Sequence, residues 1–197
     1  MNKWKIIAAS SLVFAMSNAM ALTNPAYVFQ FTPQTGAFGG EVQVYQQGAS
    51  NISSVNQDSA ILSKTSVSQS GLFGGTSNYA SVNQNGNVSV VDINQQGNNN
   101  AATSSQNGSW SVTEVSQSGL LGNSATTNQS GDFSRTAVVQ SGFGLNNAVT
   151  SQSADAAVIV VRQNGASNYA SSSQTADFSY SNVNQVGANN ASYVNQN

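Results

Sequence analysis

Ser89-Val90-Val91-Asp92-Ile93-Asn94-Gln95, then Gln96-Gly97-Asn98-Asn99, then Asn100-Ala101-Ala102-Thr103-Ser104-Ser105-Gln106 is the stretch that decides how this chain folds. Each seven-residue arm is rich in Val, Ser and Thr and sets its marked residues at even offsets, the period-2 signature of a strand. The connection between the arms carries Gly and Asn, the chemistry of a tight turn. As a pattern this is S-x5-Q-x-G-x2-N-x-A-x3-Q. It starts at Gly40, Ser63, Ser89, Ser111, Ser134, Ala157 and Ser179, with residues inserted after the first Gly in some copies, so that seven repeats fill residues 40–196.

Composition alone points elsewhere. Residues 22–197 contain 24 Asn, 19 Gln and 30 Ser, the profile of a disordered or prion-like tract. The Gln positions 46, 57, 69, 84, 95, 106, 117, 129, 140, 152, 163, 174, 185 and 196 argue against that, because their thirteen spacings are eleven in nine cases, twelve in three and fifteen once. Strand and turn alternating at a fixed period predict an all-β solenoid of seven stacked strand-turn-strand repeats, a body roughly 34 Å long at the inter-strand spacing.

Taking every second residue from the leading Ser gives the predicted interior, for example Ser89, Val91, Ile93, Gln95 and Asn100, Ala102, Ser104, Gln106. The charges test this register independently. Glu41, Lys64, Asp92, Glu114, Arg135 and Arg162 fall on outward positions, and Asp58, Asp132, Asp155 and Asp177 fall in turns between repeats. An unpaired charge inside so narrow a core would be prohibitive. The candidate functional residues are the inward amides Gln46, Asn51, Gln57, Gln69, Asn78, Gln84, Gln95, Asn100, Gln106, Gln117, Asn123, Gln129, Gln140, Asn146, Gln152, Gln163, Asn168, Gln174, Gln185, Asn190 and Gln196. Stacked in register, such side chains form hydrogen-bonded ladders. With them go the turn glycines Gly48, Gly71, Gly97, Gly119, Gly142, Gly165 and Gly187.

Several function classes fall away. With no Cys and no His, the chain has no disulfide scaffold, no thiolate or imidazole metal site and no Ser-His-Asp or Cys-His pair, and no enzyme activity, catalytic residue or cofactor is expected. Five Lys+Arg give a polynucleotide's phosphates nothing to hold. The four turn Asp residues fall short of a calcium-binding solenoid repeat, and the Gly-rich turns lack the helix and Lys of a phosphate cradle.

Residues 1–21 read as a signal peptide, with Lys3 and Lys5 before the apolar Ile6 to Ala15 and Ala19-Met20-Ala21 as the cleavage site. No apolar run is long enough for a transmembrane helix. The mature chain would be secreted, with net charge 3 − 7 = −4. Residues 22–39 do not repeat, contain Pro25 and Pro33, and read as an extended segment outside the core.

The repeat resembles that of the curlin family, the secreted subunits of curli, functional amyloid fibres of bacterial biofilms. The resemblance covers about four-fifths of the chain. Gly40 and Ala157 depart from the leading Ser, and Ser53 and Ser192 from the Ala. It implies a homopolymer fibre at the cell surface, nucleation by a minor subunit, periplasmic accessory proteins and export through an outer-membrane channel. Residues 22–39 would then address that channel, with Phe29, Phe31 and Phe38 as anchors. The insertions Leu72-Phe73-Gly74-Gly75, Leu120-Leu121-Gly122 and Phe143-Gly144-Leu145 are either tolerated loops or an adhesive ridge on one edge. The alternatives are the minor nucleating subunit and, from another class, a monomeric solenoid binding polysaccharide or ice.

Overall fold

The computed structural model describes residues 40–48, 50–58, 62–71 and 77–197, together with the backbone of 12–18 and 26–31. The expected cleavage site, Phe38 and the Leu72 to Gly75 insertion lie outside the described residues. The chain forms β1 (Leu12–Asn18), β2 (Ala26–Phe31), β3 (Glu41–Gln47), β4 (Ile52–Asp58), β5 (Lys64–Ser70), β6 (Tyr79–Gln84), β7 (Val90–Gly97) and β8 (Ala101–Gln106). It continues through β9 (Val112–Gly119), β10 (Ser124–Gln129), β11 (Arg135–Gly144), β12 (Asn147–Gln152), β13 (Val158–Ala166), β14 (Tyr169–Gln174), β15 (Tyr180–Ala188) and β16 (Ala191–Gln196).

Odd-numbered strands form one eight-stranded sheet in chain order and even-numbered strands form the other. All pairings are parallel, because each strand's crossover to its neighbour is a strand of the opposite sheet. The result is a two-sheeted β-solenoid in which β3 to β16 supply seven coils. Register follows the repeat: Gln69 pairs with Gln95, Gln95 with Gln117, and Gln84 with Gln106.

Burial alternates along each strand. Val91, Ile93 and Gln95 are buried in β7 while Val90, Asp92 and Asn94 face out. One continuous apolar cluster runs down the axis, with Val44, Val67, Ile93, Val115, Val138, Val161 and Val183 from the first sheet and Ala80, Ala102, Ala125, Ala148 and Ala170 from the second. Among the described residues the buried apolar side chains are Val, Ile and Ala, with no Leu or aromatic side chain among them.

The segment expected outside the core is only partly outside it. Ala26–Phe31 is extended, but it pairs with the free edge of β4, placing Val28 beside Val55 and Gln30 beside Gln57. Its sequence accounts for this: Ala26-Tyr27-Val28-Phe29-Gln30 shares A-x-V-x-Q with Ala80-Ser81-Val82-Asn83-Gln84, a second arm without a first. In the full chain Leu12–Asn18 likewise adds to the edge of β3, in register from Leu12 with Glu41 to Asn18 with Gln47.

Candidate functional site: amide ladders, turn rows and the terminal coil

Two Gln ladders run the length of the solenoid. On the first sheet each Nε2 donates to the Oε1 of the following coil, from Gln46 through Gln69, Gln95, Gln117, Gln140 and Gln163 to Gln185, every step being 2.8 Å. On the second sheet the ladder runs from Gln57 through Gln84, Gln106, Gln129, Gln152 and Gln174 to Gln196 at 2.6–3.2 Å. The remaining N–H usually reaches a backbone carbonyl across the core, as from Gln95 to Tyr79 and from Gln84 to Ser89. Thr65, Thr113 and Thr136 tie the sheets together by donating to Oε1 of Gln84, Gln129 and Gln152. A primary amide buried with both its carbonyl and its N–H groups engaged avoids the penalty of an unpaired polar group.

The Asn ladder runs the other way. Asn78, Asn100, Asn123, Asn146, Asn168 and Asn190 each donate Nδ2 back to Oδ1 of the Asn one coil earlier, starting at Asn51. Their backbone N–H groups converge on the same oxygens. The other Nδ2 hydrogen closes the local turn, as from Asn100 to the Gln96 carbonyl at 3.1 Å. Beside this ladder Gly48, Gly97, Gly142, Gly165 and Gly187 have positive φ, and Gly119 does not. At Gly97, φ is 101° and a Cβ would collide with the Gly119 carbonyl of the next coil, so a larger residue meets both strain and a clash.

The leading Ser has a role that spacing alone did not reveal. Ser63, Ser89, Ser111 and Ser134 donate Oγ to a turn carbonyl of the next coil, at Gly86, Gly108, Gly131 and Ala154, over 2.7–2.9 Å. The same oxygens accept the backbone N–H of Ser89, Ser111, Ser134 and Ala157. Asp132, Asp155 and Asp177 act alongside, each accepting from a backbone N–H of the preceding coil at 2.7–2.8 Å. These carboxylates hold turns together, and among the described residues no acidic, His or Cys cluster is grouped to hold a metal ion.

All 21 candidate amides face the interior. Nineteen are buried, and Asn190 and Gln196 of the last coil are partly exposed. The last coil differs because β15 and β16 are the terminal strands of their sheets. Val183, Gln185, Asn190 and Val194 line a recess there. Gln185 and Gln196 have no following Oε1 among the described residues, and Ser179 Oγ is buried without a partner, whereas the hydroxyls of Ser63, Ser89, Ser111 and Ser134 reach the next turn.

The outer surfaces of the two sheets are unlike. Glu41, Lys64, Asp92, Glu114, Arg135 and Arg162 all project from the first sheet, with exposed pairs Lys64–Glu41 at 3.9 Å and Arg135–Glu114 at 2.6 Å. Such pairs contribute about 0–1 kcal/mol. Flanking strands partly desolvate the Asp92 carboxylate and raise its pKa; Glu114 adds to the rise, while a hydrogen bond from Ser66 and the charge of Lys64 oppose it. The second sheet carries Asp58 at the end of β4 and otherwise presents uncharged residues, including Ser81, Thr103, Thr126 and Ser171.

Sequence reasoning also missed the residue immediately before the leading Ser. Leu62, Val88, Trp110, Phe133, Ala156 and Phe178 occupy it, all with φ between 51° and 57°. The signal was present in the sequence, since every copy from the second onward has an apolar residue there.

These features define a two-sheeted parallel β-solenoid with an amide-laddered core and a last coil, β15 and β16, that pairs on one side only. No protein-family model, curated protein or solved structure matches the chain.

Proposed function

We propose that the protein is a structural subunit that stacks end to end into extracellular curli-like amyloid fibres. The observation that carries this reading is the unfinished last coil. Gln185 and Gln196 present Nε2 donors and Asn190 an Oδ1 acceptor, the groups that every earlier coil offers to its successor, and Ser179 presents the buried hydroxyl that Ser63, Ser89, Ser111 and Ser134 donate to theirs. A second copy brings the matching Gln46, Asn51 and Gln57 in the same order once its Ala26–Phe31 segment, which pairs with β4 in the single chain, gives up that edge. Unpaired strand edges template such addition, and the repeat's likeness to curlins supports the same reading. Secretion after removal of residues 1–21, a minor nucleating subunit and an export channel belong to this proposal. The complete last repeat favours the major over the nucleating subunit, because it continues the stack without a break.

Residues 22–197, incubated at neutral pH, should form unbranched fibres whose diffraction shows reflections at about 4.8 Å and about 10 Å. Persistent monomers would instead favour a monomeric binding module for polysaccharide or ice. The regular Ser, Thr and Asn array on the outer face of the second sheet supports that second reading.

A further inference from the structure

The turns of the solenoid form two rows on opposite edges. The row within repeats places Ser50, Asn99, Leu145, Ser167 and Asn189 in the left-handed region: two Asn, which accept it, two small Ser and one Leu. The row between repeats places Leu62, Val88, Trp110, Phe133, Ala156 and Phe178 there. Bulky side chains at positive φ are outliers, and strained positions that persist point to a use beyond the fold. The core does not explain them: Leu62 is 54% exposed, Trp110 58%, Phe133 67% and Phe178 84%. Gly or Asn would make the same turn without strain.

The geometry narrows what this ridge can meet. Trp110 and Phe133 stack with centroids 6.2 Å apart and planes 8° from parallel. An apolar surface with its own row of side chains at the same spacing would complement this ridge. The opposite edge of the same molecule supplies such a row in Leu120, Leu121, Phe143 and Leu145, which are 51–69% exposed and held by hydrogen bonds from Leu121 N–H to the Phe143 carbonyl and from Leu145 N–H to the Gly122 carbonyl. Both rows repeat at the coil spacing, so two solenoids lying side by side match in period.

Charge selects the pairing. Asp132, Asp155 and Asp177 lie in the same turns as the aromatic ridge, whereas the described residues of the opposite turn row carry no charge. Ridge against ridge would bring two acidic rows together; ridge against the Leu120 edge does not. We propose that parallel fibres of this chain associate laterally by docking the Trp110-Phe133-Phe178 edge of one onto the Leu120-Leu121-Phe143-Leu145 edge of a second copy. This rests on the axial stacking proposed above. A strip roughly 34 Å long and about 10 Å wide buries well under the ~1,000 Å² of a stable interface, so single chains stay unpaired while fibres, which multiply the strip, bundle. The contact is heterologous and does not close, and so gives open sheets of fibres.

The test uses two variants of residues 22–197. One carries Trp110→Asn, Phe133→Asn and Phe178→Asn, and the other Leu120→Ser, Leu121→Ser, Phe143→Ser and Leu145→Asn. Each should form single fibres at wild-type rate, with a low-speed pellet at least tenfold smaller than the bundled wild type. Mixing preformed fibres of the two variants should restore side-by-side pairs, because each retains the edge the other lacks. Wild-type bundling by the aromatic-edge variant, or no pairing in the mixture, overturns the lateral proposal and leaves axial stacking intact. Failure of the wild-type chain to form any fibre overturns both.

Discussion

The third and seventh coils have nearly the same sequence pattern and different surroundings. In Ser89–Gln106, the residues Gln95, Asn100, Ala102 and Gln106 are all 0% exposed. In Ser179–Gln196, Gln185 is 6% exposed, and Asn190, Ser192 and Gln196 are only partly buried. The laddered amides are the same in the two coils, Gln95 and Gln185, Asn100 and Asn190, Gln106 and Gln196. An amide is core when a coil follows it and surface when none does. Stability here is a nearest-neighbour quantity, and the last coil has a neighbour on one side only.

The sharpest way to break the comparison is to put a charge inside the third coil. Val91→Asp places a carboxylate at a fully buried site with no inward cation, a cost of about 3–5 kcal/mol, and should abolish fibre growth measured by amyloid-dye kinetics and pelleting. Val90→Asp, one residue away and facing out, should lengthen the lag and leave the yield near normal. If Val90→Asp is the more damaging, the strand register is wrong by one.

A missing rung should cost less, and should cost more in the middle than at the end. Gln95→Ala leaves Gln69 Nε2 and Gln117 Oε1 without their ladder partners, a loss of about 1–3 kcal/mol, visible as a lower denaturation midpoint of the monomer. Gln185→Ala strands Gln163 Nε2 and removes the donor to the Tyr169 carbonyl, but breaks no forward rung and lies beside an open recess, so the monomer should change less while seeded elongation slows. Equal effects of the two on monomer stability would remove the distinction between the coils.

The smallest effect belongs to Asp92. Its folded pKa lies above the ordinary value of 3.8, so the unfolded chain releases this proton first, and stability is lost as pH rises through the folded value. Asp92→Asn should leave stability at pH 3 unchanged, raise it slightly at pH 7 and flatten the profile between, followed by denaturant midpoints across that range.

The fold was legible because burial and repeat period coincide: Gln at nearly constant spacing and charges at odd offsets from the leading Ser allow one register. Two features escaped for physical reasons. The left-handed turn residues were hidden because backbone sterics lead one to look for Gly or Asn there, not Trp110 or Phe133. Ala26–Gln30 was hidden because its Tyr27, Phe29 and flanking Pro25 outweigh a five-residue match, and only the unpaired edge of β4 gives that match something to pair with. The direction of the amide ladders, Gln forward and Asn backward, depends on atomic positions that no residue pattern encodes.

The central claim is that the last coil of one chain continues into the first coil of the next. Tyr45, Ser68, Asn94, Ser116, Val139, Arg162 and Asn184 form one outward column across seven strands of the first sheet, so the residue following Asn184 in a fibre is the next chain's Tyr45. The chain has no Cys, and pyrene can be attached at Tyr45→Cys in one population and Asn184→Cys in another. Excimer emission from fibres grown from the mixture, with none from either population alone, is the predicted result. Excimer emission from the Tyr45→Cys population by itself, as chains layered in register on identical chains would give, contradicts it.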